Sequence, residues 1–434
     1  MIRAAFLLLL TLFCPAAAAA PVALLEIDGA IGPASADYVH RGLERAAQAG
    51  APLVVLRLDT PGGLDTSMRA IIKDILASPV PVAAYVAPGG ARAASAGTFI
   101  LYASHVAAMA PATNLGAATP VSLTGSGPSG KDKNGKETGG DAMLRKAQHD
   151  AAAYIRGLAQ LRGRNSEWAE RAVTEAASLP ASEALKQKVV DVIAEDVPAL
   201  LERIDGREVE VQGRKVALHT KGAALEAYAP DWRERFLAFI TDPTMAYALL
   251  LLGVYGILFE FMNPGMVLPG VAGALALVLA AYALHMLPVS YAGLVLLLLG
   301  IGFMAAELFF PAYGSLGVGG AIAFVVGSVM LIDTGVPGFG IPLPLVLGVA
   351  AASAAVIFSV GGFALRARRR PVVSGREALL GAPGEVLYDF EGEGWARVQG
   401  ETWRVKSAVP LKAGERITVL QVEELVLNVK KNGG

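Results

Sequence analysis

Two short runs in the N-terminal part of the chain hold the residue types that acyl-transfer chemistry needs. The first, Asp59-Thr60-Pro61-Gly62-Gly63-Leu64, follows an apolar strand and precedes a helix. Paired glycines there let the backbone turn with two N–H groups facing one way, an anion or oxyanion pocket at a helix N-terminus. Alone this is a weak signal, because Pro-Gly-Gly is also an ordinary turn. The second run is Gly89-Gly90-Ala91-Arg92-Ala93-Ala94-Ser95-Ala96-Gly97-Thr98. A serine flanked by tiny residues at a helix start is open to substrate, and the helix dipole would stabilise a forming oxyanion. The competing explanation is a small-residue helix packed closely on a sheet.

A nucleophilic serine needs a base. His105 lies ten residues on and His149 in a later helix, and their spacing gives no clear Ser-His-Asp set. Lys146 is the better candidate, on a helix that continues through Ala151-Ala152-Ala153-Tyr154-Ile155. A lysine in an apolar, desolvated pocket loses its proton more readily and can act as general base. The plainer alternative is an exposed lysine paired with Asp150 at i+4. Residue chemistry alone favours the plainer one.

The elements that must position these residues are short apolar strands near 22–27, 53–58, 82–86 and 106–109. They alternate with helices near 34–47, 65–77 and 141–161. Strands separated by helices imply βαβ units and an α/β sheet. Residues 122–140 turn to Gly, Ser, Lys and Thr. So long a polar loop inside a compact domain is either a functional lid or disordered. Residues 208–219, with Gly213 in the middle, read as a hairpin closing this domain.

The 434 residues are 54% apolar and only 17% charged, against about 25% charged in a typical soluble domain. The deficit is local. Residues 243–365 contain no Lys or Arg, and their only carboxylates are Glu260, Glu307 and Asp333. That is a membrane region, which excludes a purely cytosolic enzyme. A net charge of −1 supplies no basic field for nucleic acid.

The N-terminus has one positive charge at Arg3, a short apolar core and an alanine-rich exit, which describes a cleaved secretory signal peptide over residues 1–20. An uncleaved anchor is the alternative. Cys14, the only cysteine, falls inside this segment, so the mature chain would have no disulfide, thiol nucleophile or cysteine-based metal site.

Five apolar segments, near 244–262, 267–287, 290–310, 316–334 and 342–365, each approach the roughly 20 residues that cross a bilayer. The first four contain a repeat. Glu260-x3-Pro264 matches Glu307-x3-Pro311 at an offset of 47, and the same offset carries Gly253 onto Gly300, Gly270 onto Gly317 and Gly273 onto Gly320. This is the pattern of a duplicated helical hairpin whose glycines allow close backbone approach. The two glutamates could form an ion or proton site, or bond backbone groups freed near each proline. Arg366, Arg368, Arg369 and Arg370 place the end of the last segment in the cytoplasm. Five crossings then put residues 22–240 on the outside.

Beyond Pro371, glycine-punctuated strands near 385–388, 395–399, 402–405, 416–422 and 426–429 suggest a small OB-type barrel. Trp395 and Trp403 could stack on single-stranded nucleic acid, but no basic stripe accompanies them. Core packing or a protein partner fits better.

Residues 22–240 resemble the membrane-bound ClpP-class serine proteases of the NfeD family, also called stomatin operon partner proteins. The resemblance is carried by Asp59-Thr60-Pro61-Gly62-Gly63, by Gly90-Ala91-Arg92-Ala93-Ala94-Ser95-Ala96-Gly97, by Met109-Ala110-Pro111 and by Ala153-Tyr154-Ile155-Arg156-Gly157-Leu158-Ala159. It continues through the membrane segments into the C-terminal domain.

The resemblance implies a ClpP/crotonase-like α/β domain (residues 21–240), an α-helical transmembrane region (241–366) and a small all-β OB-type barrel (371–434). It also implies a Ser-Lys dyad without metal or cofactor. Ser95 would be the nucleophile, and Lys146, seven residues before Ala153, the base. Lys131, Lys133 and Lys136 are rivals if the polar loop folds inward. The N–H groups of Gly63 and Ala96 would hold the oxyanion. Apolar segments of stomatin-like (SPFH) membrane proteins would be substrate or partner, and the enzyme would act as a homodimer or larger assembly in the inner membrane. Two other readings are a non-catalytic scaffold for stomatin-like partners and an acyl-CoA enzyme. The second fits poorly with an exported domain, because CoA esters are cytoplasmic.

Overall fold

The computed structural model describes residues 20–120, 139–310, 312, 314–332, 339–368 and 376–432. The expected leader up to residue 19 with Cys14, the rival lysines 131, 133 and 136, Asp333, Arg369 and Arg370 lie outside the described residues. The chain divides into two compact units, Met1–Ala354 and Ala355–Gly434.

The first unit begins with an α/β head. Its strands and helices run β1 (Val22–Asp28), α1 (Pro33–Gln48), β2 (Val54–Asp59), α2 (Asp65–Ala77), β3 (Val82–Val86), β4 (Arg92–Ala94), α3 (Ala96–Ala103), β5 (Val106–Met109) and β6 (Asn114–Gly116). There follow α4 (Gly139–Leu161), α5 (Ser166–Thr174), β7 (Ser178–Pro180), α6 (Ala181–Lys186), β8 (Val192–Ile193), α7 (Val197–Ile204), β9 (Glu208–Val211), β10 (Arg214–Ala217) and β11 (Leu225–Ala227). The main sheet has the order β11-β1-β2-β3-β5-β8 and is parallel throughout. Its central strands are continuous apolar runs because both faces are covered. Val54, Leu56, Val82 and Ala84 face one core, while Val55, Ala83 and Tyr85 face the other. This is the α/β arrangement expected of a ClpP/crotonase-like domain.

Two features differ from the sequence reading. The hairpin at 208–219 forms its own two-stranded sheet, and the edge of the main sheet is closed instead by β11 pairing with β1. A second sheet, β4-β6-β7, is built from three-residue strands. Three residues are too few to display an alternation.

One buried ion-pair network fixes the far end of α3. The Arg164 guanidinium, whose side chain is 2% exposed, donates to the carbonyls of Leu101, Tyr102 and Ser104. It thereby satisfies acceptors that the helix end leaves unpaired. Asp191 lies 2.6 Å from Arg164 and 2.7 Å from Arg207, and accepts the Ala107 N–H. Burial pushes the Asp191 carboxyl up, but the two arginines and that N–H outweigh it and hold the group below the usual carboxylate range.

The rest of the first unit is helical: α8 (Trp232–Ile240), α9 (Pro243–Met262), α10 (Leu268–Met286), α11 (Tyr291–Phe309), α12 (Ser315–Leu331) and α13 (Leu343–Arg368), the last running on into the second unit. Helices α9, α10 and α11 are long and apolar enough to cross a membrane, while Ser315–Leu331 and Leu343–Val356 are shorter apolar helices.

The duplication is visible atom by atom. A Cβ on Gly273 would lie 2.9 Å from the Gly253 carbonyl oxygen, and one on Gly320 would lie 2.7 Å from that of Gly300. Opposite Gly253 stands Leu277, and opposite Gly300 stands Phe324, again 47 positions apart. Val267 N–H donates to Glu260 Oε1 at 3.0 Å, and its counterpart Gly314 N–H donates to Glu307 Oε1 at 2.9 Å. Both glutamates therefore bond backbone N–H groups in the turn ahead of the next helix. Glu307 Oε2 also accepts from Leu316 and Gly317, whereas Glu260 Oε2 is buried without a partner among the described residues. The position equivalent to Leu316 is Pro269, which has no N–H to give.

In the second unit, α14 (Arg376–Leu379) precedes β12 (Pro383–Val386), β13 (Glu393–Val398), β14 (Glu401–Lys406), β15 (Arg416–Glu423) and β16 (Val426–Lys431). These close into a barrel of order β12-β13-β14-β16-β15 around Ala396, Val398, Val405, Ile417 and Leu427. Trp403 packs against this core, whereas Trp395 is exposed.

Breaking the Arg164–Asp191 pair leaves a buried charge uncompensated, so Asp191→Asn should destabilise the head by about 3–5 kcal/mol, measured by denaturant unfolding. Because the folded carboxyl titrates below its unfolded value, this contribution is complete at neutral pH. It is lost only as pH falls below the ordinary carboxylate range towards the depressed value.

A Cβ on Gly300 would overlap the Phe324 backbone, whereas one on Gly302 would meet nothing within 4 Å. Gly300→Ala should therefore cost about 1–3 kcal/mol by overpacking α11 on α12, and Gly302→Ala should leave thermal unfolding in detergent unchanged.

Candidate active site

Ser95 is the residue on which β4 turns into α3. It occupies the N-cap of α3 with φ of +49°, a region that a side-chain-bearing residue enters at a cost on the order of 1–3 kcal/mol. Its surroundings hold it there. Ser95 N–H donates to the Gly116 carbonyl at 2.9 Å, and Ser95 O accepts the Thr98 N–H at 2.9 Å. The buried Thr98 hydroxyl donates to Ala93 O at 2.8 Å and accepts the Gly116 N–H at 3.0 Å. The small sheet thus positions the serine.

The glycine turn presses on Ser95 from the other side. Thr60, fully buried, receives the Gly62 N–H on its hydroxyl at 3.0 Å. Thr60 N–H donates to Arg92 O at 2.7 Å, and Thr60 O accepts the Ala94 N–H at 3.0 Å. The two runs singled out in the sequence are therefore hydrogen-bonded to each other. Gly62 has φ of +118°, and a Cβ there would lie 2.8 Å from Ser95 Cβ. A Cβ on Gly63 would overlap the Ile31 backbone, because Ile31 N–H donates to Gly62 O and Leu64 N–H to Ile31 O, both at 2.8 Å. Both glycines are thus required by geometry.

The N–H groups of Gly63 and Ala96 have no acceptor among the described residues, and that of Ala96 is one that every helix start leaves unpaired. Gly63, Ser95 and Ala96 line one cavity of about 550 Å³. Leu64, Met68, Phe99 and Ala151 make its apolar wall.

Lys146 is not brought to Ser95. It is exposed on α4, does not line the cavity, and makes no hydrogen bond or ion pair among the described residues. Nor does it pair with Asp150, which instead binds Arg69 at 2.7 Å. Arg69 also binds Asp65 at 2.8 Å and lies 4.5 Å over the Tyr154 ring, which stacks on Phe99. This cluster ties α2 to α4 beside the cavity. His149 is exposed on α4. His105 is buried and accepts the Val82 N–H on Nδ1. Burial, with Arg162 and Arg164 nearby, pushes its pKa down to about 3, so it is a neutral core residue remote from the serine's chemistry.

Thr60, Thr98, Gly116 and Arg69 were missed by sequence reasoning. Thr98, three residues after Ser95, and Arg69, four after Asp65, had spacings that could have signalled them. Gly116 gave no local sign, because its role is to offer a carbonyl from a distant strand.

Three family models match in the order of the structure. They are the NfeD1b N-terminal domain over residues 22–212, the NfeD integral membrane domain over 244–362 and the NfeD-like C-terminal, partner-binding domain over 376–431. The membrane-bound protease PH1510 of Pyrococcus horikoshii is 33% identical over 442 aligned residues, covering 99% of this chain and 98% of that protein. The membrane protein NfeD1b of Bacillus subtilis is 27% identical over 275 residues, covering 60% of this chain and 55% of that protein.

Among solved structures, a 1510-N membrane-bound stomatin-specific protease, as a lysine-to-alanine variant in complex with a substrate peptide, shares 36% identity and a TM-score of 0.44. That match covers 51% of this chain and 98% of the other. A serine-to-alanine variant of the same protease also matches at 36% and 0.44, covering 49% of this chain and 100% of that one. With one relative aligned from end to end, and head, membrane helices and barrel each matched in turn, the chain belongs to the NfeD family of membrane proteins.

Proposed function

We propose that the chain is a membrane-anchored serine endopeptidase using a Ser95–Lys146 dyad. The observation that carries this reading is the strained Ser95 lining one cavity with the N–H groups of Gly63 and Ala96, which have no acceptor among the described residues. In the first step Ser95 Oγ bonds to the peptide carbonyl carbon as its proton passes to Lys146 Nζ. The resulting oxyanion accepts hydrogen bonds from Gly63 and Ala96, donors that need no reorganisation when charge develops. Collapse breaks the C–N bond, and the leaving amine takes the proton from Lys146. Water, deprotonated by the same lysine, then hydrolyses the acyl-enzyme ester and restores the Ser95 hydroxyl.

Lys146 stands one helical turn and a little more before Ala151, which lines the cavity. It precedes Asp150, the residue that clamps α4 to Arg69. Bringing Nζ to Ser95 requires the N-terminal turns of α4 to close on the cavity. Catalytic hydrogen bonds commonly tighten only around bound substrate.

Several observations support a substrate of apolar segments from a stomatin-like membrane protein. The cavity wall is largely apolar, the C-terminal domain matches a partner-binding model, and the related 1510-N protease is described as stomatin-specific. Arg366, Arg368, Arg369 and Arg370, which follow the last apolar segment in the sequence, favour the barrel in the cytoplasm and the head outside.

Ser95→Ala and Lys146→Ala should each lower cleavage of an apolar peptide by the full-length chain at least about a thousandfold. Undiminished turnover in both variants would sink the assignment. Loss with Ser95→Ala alone would pass the base to Lys131, Lys133 or Lys136, each then replaced in turn.

A further inference from the structure

The cavity that contains Ser95 is not enclosed by the head alone. Its opposite side is formed by His285, Met286, Leu287 and Pro288, the end of α10 and the turn into α11. This turn is fixed at both ends. Leu287 N–H closes back on Leu284 O at 3.3 Å. Ser290 caps α11 by accepting the Gly293 N–H, and its own N–H donates to Leu331 O at 3.0 Å. Pro288 restricts the backbone between them. Leu287 is 6% exposed, although Tyr282, one turn or so earlier on the same helix, is 52% exposed. The turn therefore packs as a structured wall.

Building on the serine-endopeptidase reading, we infer that this turn is the specificity wall of the Ser95 cleft. Met286 selects a large apolar side chain beside the scissile bond. An extended peptide lying over Ser95 would pass between Phe99 and Met68 on the head and Met286 and Pro288 on the turn. Met286 is half-buried and unbranched, the kind of side chain that adapts to the shape of an apolar partner. Because the turn belongs to a membrane helix, the substrate is a segment lying at the head-side surface of the bilayer.

The test uses the full-length chain in lipid nanodiscs and two peptides that differ only in Leu or Ala beside the cleaved bond. The wild-type protein should favour the leucine peptide. Met286→Ser should reduce that preference roughly tenfold, through KM rather than kcat. Met286→Trp, which fills the cavity, should invert it. Tyr282→Ala, on the same helix but away from the cavity, should leave it unchanged. Labelling of Ser95 by a small fluorophosphonate reads the nucleophile independently. Intact labelling with an unaltered leucine preference in both Met286 variants overturns the wall. A wild-type chain whose Ser95 does not label, and whose cleavage survives Ser95→Ala, overturns the serine reading and the wall with it.

Discussion

The head depends on one backbone constraint, the left-handed φ of Ser95 at the start of an eight-residue helix. A conformation that costs free energy persists only where its neighbours over-determine it. Here the neighbours come from every direction. The Gly116 carbonyl holds the serine from the small sheet, the Thr98 hydroxyl ties α3 to Ala93 and Gly116, Gly62 packs against the serine's side chain, and Arg164 binds the carbonyls at the far end of α3. Because α3 is gripped at both ends, its first N–H groups keep a fixed direction. A fixed direction is what an N–H needs in order to stabilise a developing negative charge, the role proposed above for Ala96.

The membrane region solves a different problem with the same groups. A helical hairpin in lipid must turn without leaving backbone N–H groups bare. Each copy of the repeat places a glutamate at the end of its first helix and accepts N–H groups from the turn. The second copy uses both carboxylate oxygens. The first has Pro269 where the second has Leu316, and one oxygen is left without a partner among the described residues. The shared bonds follow the repeat, and Pro269 removes one of the donors that the second copy uses. The two glutamates are therefore backbone caps, the second of the explanations that the sequence left open.

How much could be read from residues alone followed from how local each feature is. Strands near 82–86 and 106–109 and the helix at 65–77 carry their own period, and they fall where the pattern puts them. The 47-residue repeat was legible because glycine contacts and their partners recur at one offset. The Ser95 run stood out as a serine among tiny residues at a helix start, but residue chemistry alone left close helix packing as an equal explanation, and the family resemblance singled it out. What stayed hidden is non-local. β6 and β7 are too short to show alternation, Gly116 contributes only a carbonyl, and Asp150 prefers Arg69 from another helix to Lys146 four residues away. The membrane turn beside Ser95 was invisible for the same reason, since nothing in Met286 or Pro288 announces which surface a helix end will meet.

That last contact bears on how a membrane-bound substrate could be attacked at all. Inside the bilayer every backbone N–H and carbonyl must be bonded within the chain, so a spanning segment is helical. A helical carbonyl is already engaged with the N–H four residues on, and it faces along the helix axis rather than towards a nucleophile. Attack by a serine requires the segment to be extended, with its carbonyl free to meet two new donors. The polypeptide can exist in that form only where water or protein replaces the lost helix bonds. A cleft with the head on one side and the end of a membrane helix on the other satisfies both demands. Its walls are largely apolar, and two N–H groups without an acceptor among the described residues would be open to the substrate backbone on the proposed reading. On the endopeptidase reading proposed above, the position of the cleft, as much as its chemistry, restricts which bonds are open to attack.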